Sequence, residues 1–183
     1  DTPKGDYQQT LQKIRSLIDQ LTDDKHLPIG IGTPGAPSPE TGLMRNANST
    51  CLNGQPLQQD LEKLLQRPVR VANDADCFAL SEASDGAGKD ANSVFGVIVG
   101  TGTGGGLVIR KQLLQGPNAI AGEWGHNPLP WPLENELPGP QCYCGKQGCV
   151  ETWLSGPGLA RDHGGEIQAK EIFQQAKQGE KQA

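Results

Sequence analysis

An α/β fold is what this sequence predicts, and three observations carry the prediction. Helical and strand-like hydrophobic patterns alternate from the first helix to the glycine run near residue 100, the order expected of that class. "SVFGVIVG", Ser93 to Gly100, is an apolar run of strand length. Ala121 to Cys149 is irregular and proline-rich, and it holds three of the chain's five cysteines within eight positions. Such a segment is organised by something other than an apolar core.

The elements follow in order. Tyr7, Leu11, Ile14, Leu17, Ile18 and Leu21 recur at helical spacing, which predicts an amphipathic helix over 6–21. "LPIGIGTPG" is a short buried strand ending in a turn at Pro34 and Gly35. Pro56, Leu57, Leu61, Leu64 and Leu65 mark a second helix, opened by "NGQP" and closed before Pro68. "VRVANDAD" passes from strand alternation to a polar break, and "FALSEA" continues as a helix with Asp74 and Asp76 in its first turn. "SVFGVIVG" pairs with "LVIRKQLL" across a glycine turn. A last helical stretch runs from Glu166 to about Lys177 and ends in a polar tail.

Composition narrows the classes. The chain of 183 residues is long enough for one good core or two small ones. Lys and Arg number 16 against 21 Asp and Glu, so no overall basic field is present and no nucleic-acid partner is expected. No run approaches the roughly 18 apolar residues of a membrane span, and "DTPKGDYQQT" lacks the layout of a signal peptide. A cytoplasmic protein without a membrane partner is expected. Five cysteines, an odd number, argue for reduced thiols and against a disulfide framework.

Three groups of residues carry chemistry. "GTGTGGG", Gly100 to Gly106, contains G-x-G-x-x-G, but a strand follows where a dinucleotide fingerprint needs a helix, and the P-loop Lys-Ser/Thr is missing. Its backbone N–H groups and the Thr101 and Thr103 hydroxyls are suited to phosphate oxygens; a plain hairpin turn is the alternative. Asp74, between a strand and a helix N-terminus, is kept ionised by the dipole and is a ready proton acceptor. A simple N-cap accounts for it at least as well. Cys142, Cys144 and Cys149 supply three thiolates, and His126, in the same irregular segment, is the natural fourth ligand of a tetrahedral Zn²⁺ site. His26 lies far upstream and His163 beyond a helix. Gly145 and Gly148 allow tight folding around an ion, and the C-x-x-C of a redox site is absent. Free cysteines are the remaining alternative.

"GEWGH" followed by "CYCGKQGCVE" resembles the signature of the ROK family of sugar kinases and sugar-responsive repressors, over about residues 2–163. "NANSTCLNGQPL", "NDADCFALSEA" and "GEWGHNPLPW" look most like its fructokinase or mannokinase branch, with the N-acetylglucosamine kinases next. The resemblance implies an actin-like ATPase (ribonuclease H-like) fold, two α/β lobes around a cleft, with ATP, Mg²⁺ and a hexose. Residues 1–120 would belong to the N-terminal lobe with the sugar and phosphate loops, and 121–183 would start the C-terminal lobe with the zinc knuckle. Asp74 would be the general base, and Gly35, Asn48, Asn73, Glu123, His126 and Glu151 would line the sugar site with it. Gly100, Thr101, Gly102, Thr103, Gly104 and Gly105 would form the second phosphate loop. His126, Cys142, Cys144 and Cys149 would hold a structural zinc.

The implied activity is ATP-dependent phosphorylation of a hexose 6-hydroxyl, fructose first, in a homodimer or higher homo-oligomer. The alternatives are a kinase of N-acetylglucosamine, glucose or mannose, and a sugar-sensing repressor. Three departures from the family pattern stand out. The Asp-x-Gly-Gly-Thr phosphate loop and the later adenine-binding glycines are missing, so the chain resembles the middle of such a kinase. Asp76 replaces the usual Asn and is expected to raise the proton affinity of Asp74. Fifteen residues separate His126 from Cys142, longer than the common family spacing.

Overall fold

The computed structural model describes Pro3 and residues 5–179; the end of the polar tail, from Glu180 on, lies outside the described residues. The chain divides into two compact units, Asp1–Cys77 with Gln115–Ile120, and Phe78–Leu114 with Ala121–Ala183.

The first unit is built on α1 (Tyr7–Leu21), β1 (Ile29–Thr33), the short antiparallel pair β2 (Ala36–Pro37) and β3 (Met44–Arg45), α2 (Leu57–Leu65) and β4 (Val69–Asn73). Helix α1 starts where its periodicity predicts, because the Asp6 carboxylate accepts the Gln9 N–H at 2.9 Å and satisfies an otherwise orphaned donor. Helix α2 stops at Gln66, which turns left-handed at φ 55°, two residues before the helix-breaking Pro68.

Strands β1 and β4 pair in parallel, from Ile29 opposite Val69 to Thr33 opposite Asn73. A parallel pair needs a long crossover, supplied here by the segment holding α2. Leu11, Met44, Leu52, Leu57, Leu61, Val69 and Val71 close the core, with Tyr7 and Ile14 of α1 packed against it. Leu57 and Leu61, one helical turn apart, are essentially fully buried, so the amphipathic stripe of α2 faces the sheet.

Helix α3 (Asp74–Ser84) follows β4 without a loop and runs on into the second unit. There β5 (Ser93–Val99), β6 (Thr103–Ile109) and β7 (Gln112–Leu113) form an antiparallel sheet in that order. The register corrects two expectations. Val99 faces Thr103, so the turn is only Gly100–Gly102, and Gly104–Gly106 are strand residues. "LVIRKQLL" is not one strand: Arg110 and Lys111 take positive φ, 51° and 65°, and fold β7 back onto β6. That geometry is a two-residue turn of the type that matches strand twist, here without the Asn-Gly or Asp-Gly that would have announced it.

Beyond the sheet the chain is irregular, as its prolines predict. Single helical turns occur at Trp124–His126, Glu134–Glu136 and Val150–Thr152, before α4 (Gly156–Asp162) and α5 (Ala169–Lys177). Ser155 caps α4 by accepting the Gly158 N–H at 3.1 Å.

Candidate functional site

The candidate residues fall into both units. In the first, Asn73 ends β4, and its side-chain oxygen accepts the N–H groups of Ala75 at 2.9 Å and Asp76 at 3.1 Å. Asn73 therefore caps α3. Its amide nitrogen donates to the Gly35 carbonyl at 3.2 Å, tying the helix start to the turn after β1. Asp74 is the first residue of α3 and is exposed. One carboxylate oxygen accepts the Ala75 N–H at 2.9 Å. The neighbouring Cys77 thiol is pushed up by burial first, then by Asp76 and Asp74. Asn48 lines a cavity of about 1050 Å³ with Ile31, Gly32, Thr33 and Pro34.

In the second unit, His126 and the cysteines converge. One ligand atom from each of His126, Cys142, Cys144 and Cys149 lies within 4.8 Å of the others. The His126 Nδ1 is 3.5 Å from the Cys142 Sγ, and the Cys144 and Cys149 sulfurs are 3.6 Å apart. Tetrahedral zinc, with Zn–S near 2.3 Å, places its ligand atoms about 3.8 Å apart. The group therefore fits zinc in size and donor chemistry.

All five cysteines are free thiols. Burial, then the neighbouring thiols, push Cys149 up to about 12, and a dication stabilises thiolates packed this closely. The knuckle closes through Cys142 N–H to the Lys146 carbonyl at 2.8 Å. Gly145 and Gly148 sit at φ 88° and 66°, where a side chain is strained.

The other ring nitrogen of His126 lies 3.0 Å from the Tyr143 hydroxyl, with the rings edge to face at 5.1 Å. Tyr143 is the residue that sequence reasoning missed. It is the variable position of C-x-C, and nothing in its local pattern links it to a histidine 17 residues away. Its phenol is pushed up to about 12 by burial first, then by the charges of Glu151 and Glu123. Those two carboxylates therefore act on the same hydroxyl. A hydroxyl, an imidazole and two carboxylates in one region make a donor and acceptor set suited to a polyol.

Thr103 is turned inward. Its N–H donates to the Glu151 carboxylate at 2.8 Å and its hydroxyl to the Leu154 carbonyl at 2.5 Å, so both of its donors are committed within the protein. Trp124 donates from its indole to the Gly104 carbonyl at 2.8 Å, and Gly125 lies so close to Thr103 that an added Cβ would strike its carbonyl oxygen. Thr101 and Gly100 line an apolar cavity of about 950 Å³ with Leu154, Gly156, Leu159 and Phe173.

The chain belongs to the ROK family, whose profile matches residues 1–183. It is 44% identical over 164 residues to an N-acetyl-D-glucosamine kinase of Yersinia pestis bv. Antiqua (strain Nepal516), covering 86% of this chain and 64% of that protein. It is 42% identical over 192 aligned positions to an N-acetyl-D-glucosamine kinase of Vibrio atlanticus (strain LGP32), covering 100% of this chain and 64% of the relative. A ROK family glucokinase from Streptomyces griseus, solved with glucose and AMPPNP, superposes with a TM-score of 0.76 at 26% identity, over 99% of this chain and 63% of that one. The chain thus spans less than two thirds of the length of these relatives.

Proposed function

We propose that this chain carries sugar-recognition and phosphate-binding parts of an ATP-dependent hexose kinase that phosphorylates the 6-hydroxyl of N-acetyl-D-glucosamine. The observation that carries the reading is the division of labour at the start of α3. Asn73 caps the helix, which leaves Asp74 an exposed carboxylate at the positive end of the dipole. The substrate follows the names of the two curated relatives. Fructose, the first expectation from the sequence, draws no support from them.

In this reading Asp74 accepts the proton of the primary hydroxyl as its oxygen attacks the γ-phosphorus. Glu123, Glu151 and Tyr143 exchange hydrogen bonds with ring hydroxyls, while His126 is oriented by the metal site through one nitrogen and presents the other. Backbone N–H groups of Thr101 and Gly102 face phosphate oxygens, while the Gly100 N–H donates to the Gly102 carbonyl at 2.9 Å and shapes the turn. Mg²⁺ bound with the nucleotide supplies positive charge to the transferred group. Gly35 and Asn48, in the first unit, are further proposed sugar contacts.

A coupled ADP-release assay on the full-length protein with N-acetylglucosamine, glucose, mannose and fructose tests the reading. Turnover is expected with N-acetylglucosamine foremost. Asp74→Asn is expected to lower kcat by about a thousandfold while sugar affinity, measured by calorimetry, stays near wild type. No turnover on any of the four sugars would sink the kinase reading, and sugar binding without turnover would restore the sensor alternative.

A further inference from the structure

We propose that Glu151 is a positioning residue for the glycine turn: a strut that holds the Thr103 amide and thereby sets how well Gly100–Gly102 receives phosphate. The consequence for nucleotide binding rests on the kinase reading; the strut itself does not. In the family resemblance Glu151 is a sugar ligand, yet its carboxylate already accepts the Thr103 N–H at 2.8 Å.

A second observation points the same way. Gly102 does not take a positive φ, so its backbone does not demand glycine. Among the described residues the only obstacle to a side chain there is Glu151, whose Oε2 would lie 2.6 Å from an added Cβ and whose Cδ would lie 3.4 Å away. The carboxylate fills the space that a residue 102 side chain would occupy.

The same short segment grips the turn twice more. Leu154 accepts the Thr103 hydroxyl, and the Gly156 N–H donates to the Gly100 carbonyl at 2.7 Å. Glu151 is itself fixed from behind. It follows buried Cys149 by two residues, and the Val150 and Thr152 N–H groups are held by Asn127 and Cys149 at 2.9 Å each. One carboxylate therefore joins the cysteine knuckle to the phosphate turn.

The test uses the full-length, metal-loaded protein with two readouts, amide hydrogen exchange at Thr103 and ADP affinity without sugar. Glu151→Ala is expected to speed Thr103 exchange by about tenfold, the scale of a lost hydrogen bond to a charged group, and to weaken ADP binding severalfold. Glu151→Gln keeps an acceptor oxygen and is expected to restore most of the protection. Gly102→Ala is expected to weaken ADP binding in wild type and to add little in the Glu151→Ala background, since both changes act on one contact. Loss of sugar affinity alone in Glu151→Ala, with exchange and ADP affinity unchanged, would overturn the strut, as would full additivity of the two substitutions. A wild-type protein that binds no ADP would defeat the kinase reading, and Thr103 exchange would still decide the strut.

Discussion

At Gly35 the backbone sits at φ 71°, and an added Cβ would run into the Arg45 carbonyl oxygen and come within 2.7 Å of the Ala47 nitrogen. Two penalties coincide there, left-handed strain and a backbone clash that no side-chain motion relieves. Gly35→Ala is expected to lower stability by about 3 kcal/mol, measured by urea unfolding. The Pro-Gly pair announced a turn in the sequence, but not its packing on the segment after β3. Asn73 and Asp74 show the same limit. Adjacent polar residues at a helix start do not reveal which one caps, and only the hydrogen bonds from Ala75 and Asp76 to Asn73 assign the cap.

Helix α1 was legible because its apolar residues recur at one period and Asp6 caps it. What anchors α1 was not: the Tyr7 hydroxyl donates to Asp60, 53 residues away, at 2.9 Å. Burial first, then Asp60, hold the phenol neutral and raise it well above its usual range. The unfolded chain loses that proton from pH about 10 upward while the folded chain keeps it. The contribution is thus complete below about pH 10 and is lost as pH rises through the folded value. Tyr7→Phe is expected to cost about 1 kcal/mol near neutral pH and to flatten the alkaline fall, as read from denaturant midpoints at about pH 8 and about pH 10.5. In the sheet, the glycine run misled about turn length. Gly105 belongs to β6, opposite Val97, and an added Cβ there would press on the Gly96 carbonyl and the Phe95 and Trp124 rings; close packing, not backbone freedom, accounts for glycine at that position.

At the scale of the whole molecule, a zinc held by the Cys3His group is expected to do for the surrounding segment, which has little apolar material, what a core does elsewhere. Trp131, Leu133 and Leu137 are more than half exposed, while Cys142 and Cys149 are among the buried residues. Elemental analysis is expected to find about one zinc per chain. Chelation, or Cys149→Ser, is expected to lower the unfolding midpoint markedly, since structural zinc contributes on the order of 10 kcal/mol of apparent binding energy. A metal-free protein with an unchanged midpoint would remove the centre from this account. The choice of hexose belongs to this scale too: the fructose-first expectation draws no support from relatives of 44% and 42% identity, both of them N-acetyl-D-glucosamine kinases.

By itself the sequence determined the α/β class, the positions of α1, α2 and β5, the four residues that converge in the candidate metal group, and the family. Each of these is written in local periodicity, caps or the spacing of neighbouring residues. Only the tertiary structure decided that Tyr143 meets His126, that both donors of Thr103 turn inward, and that Glu151 grips the glycine turn across 48 residues. Contacts of that kind depend on which faces the folded segments bring together, and hydrophobic pattern and motif spacing carry no record of it.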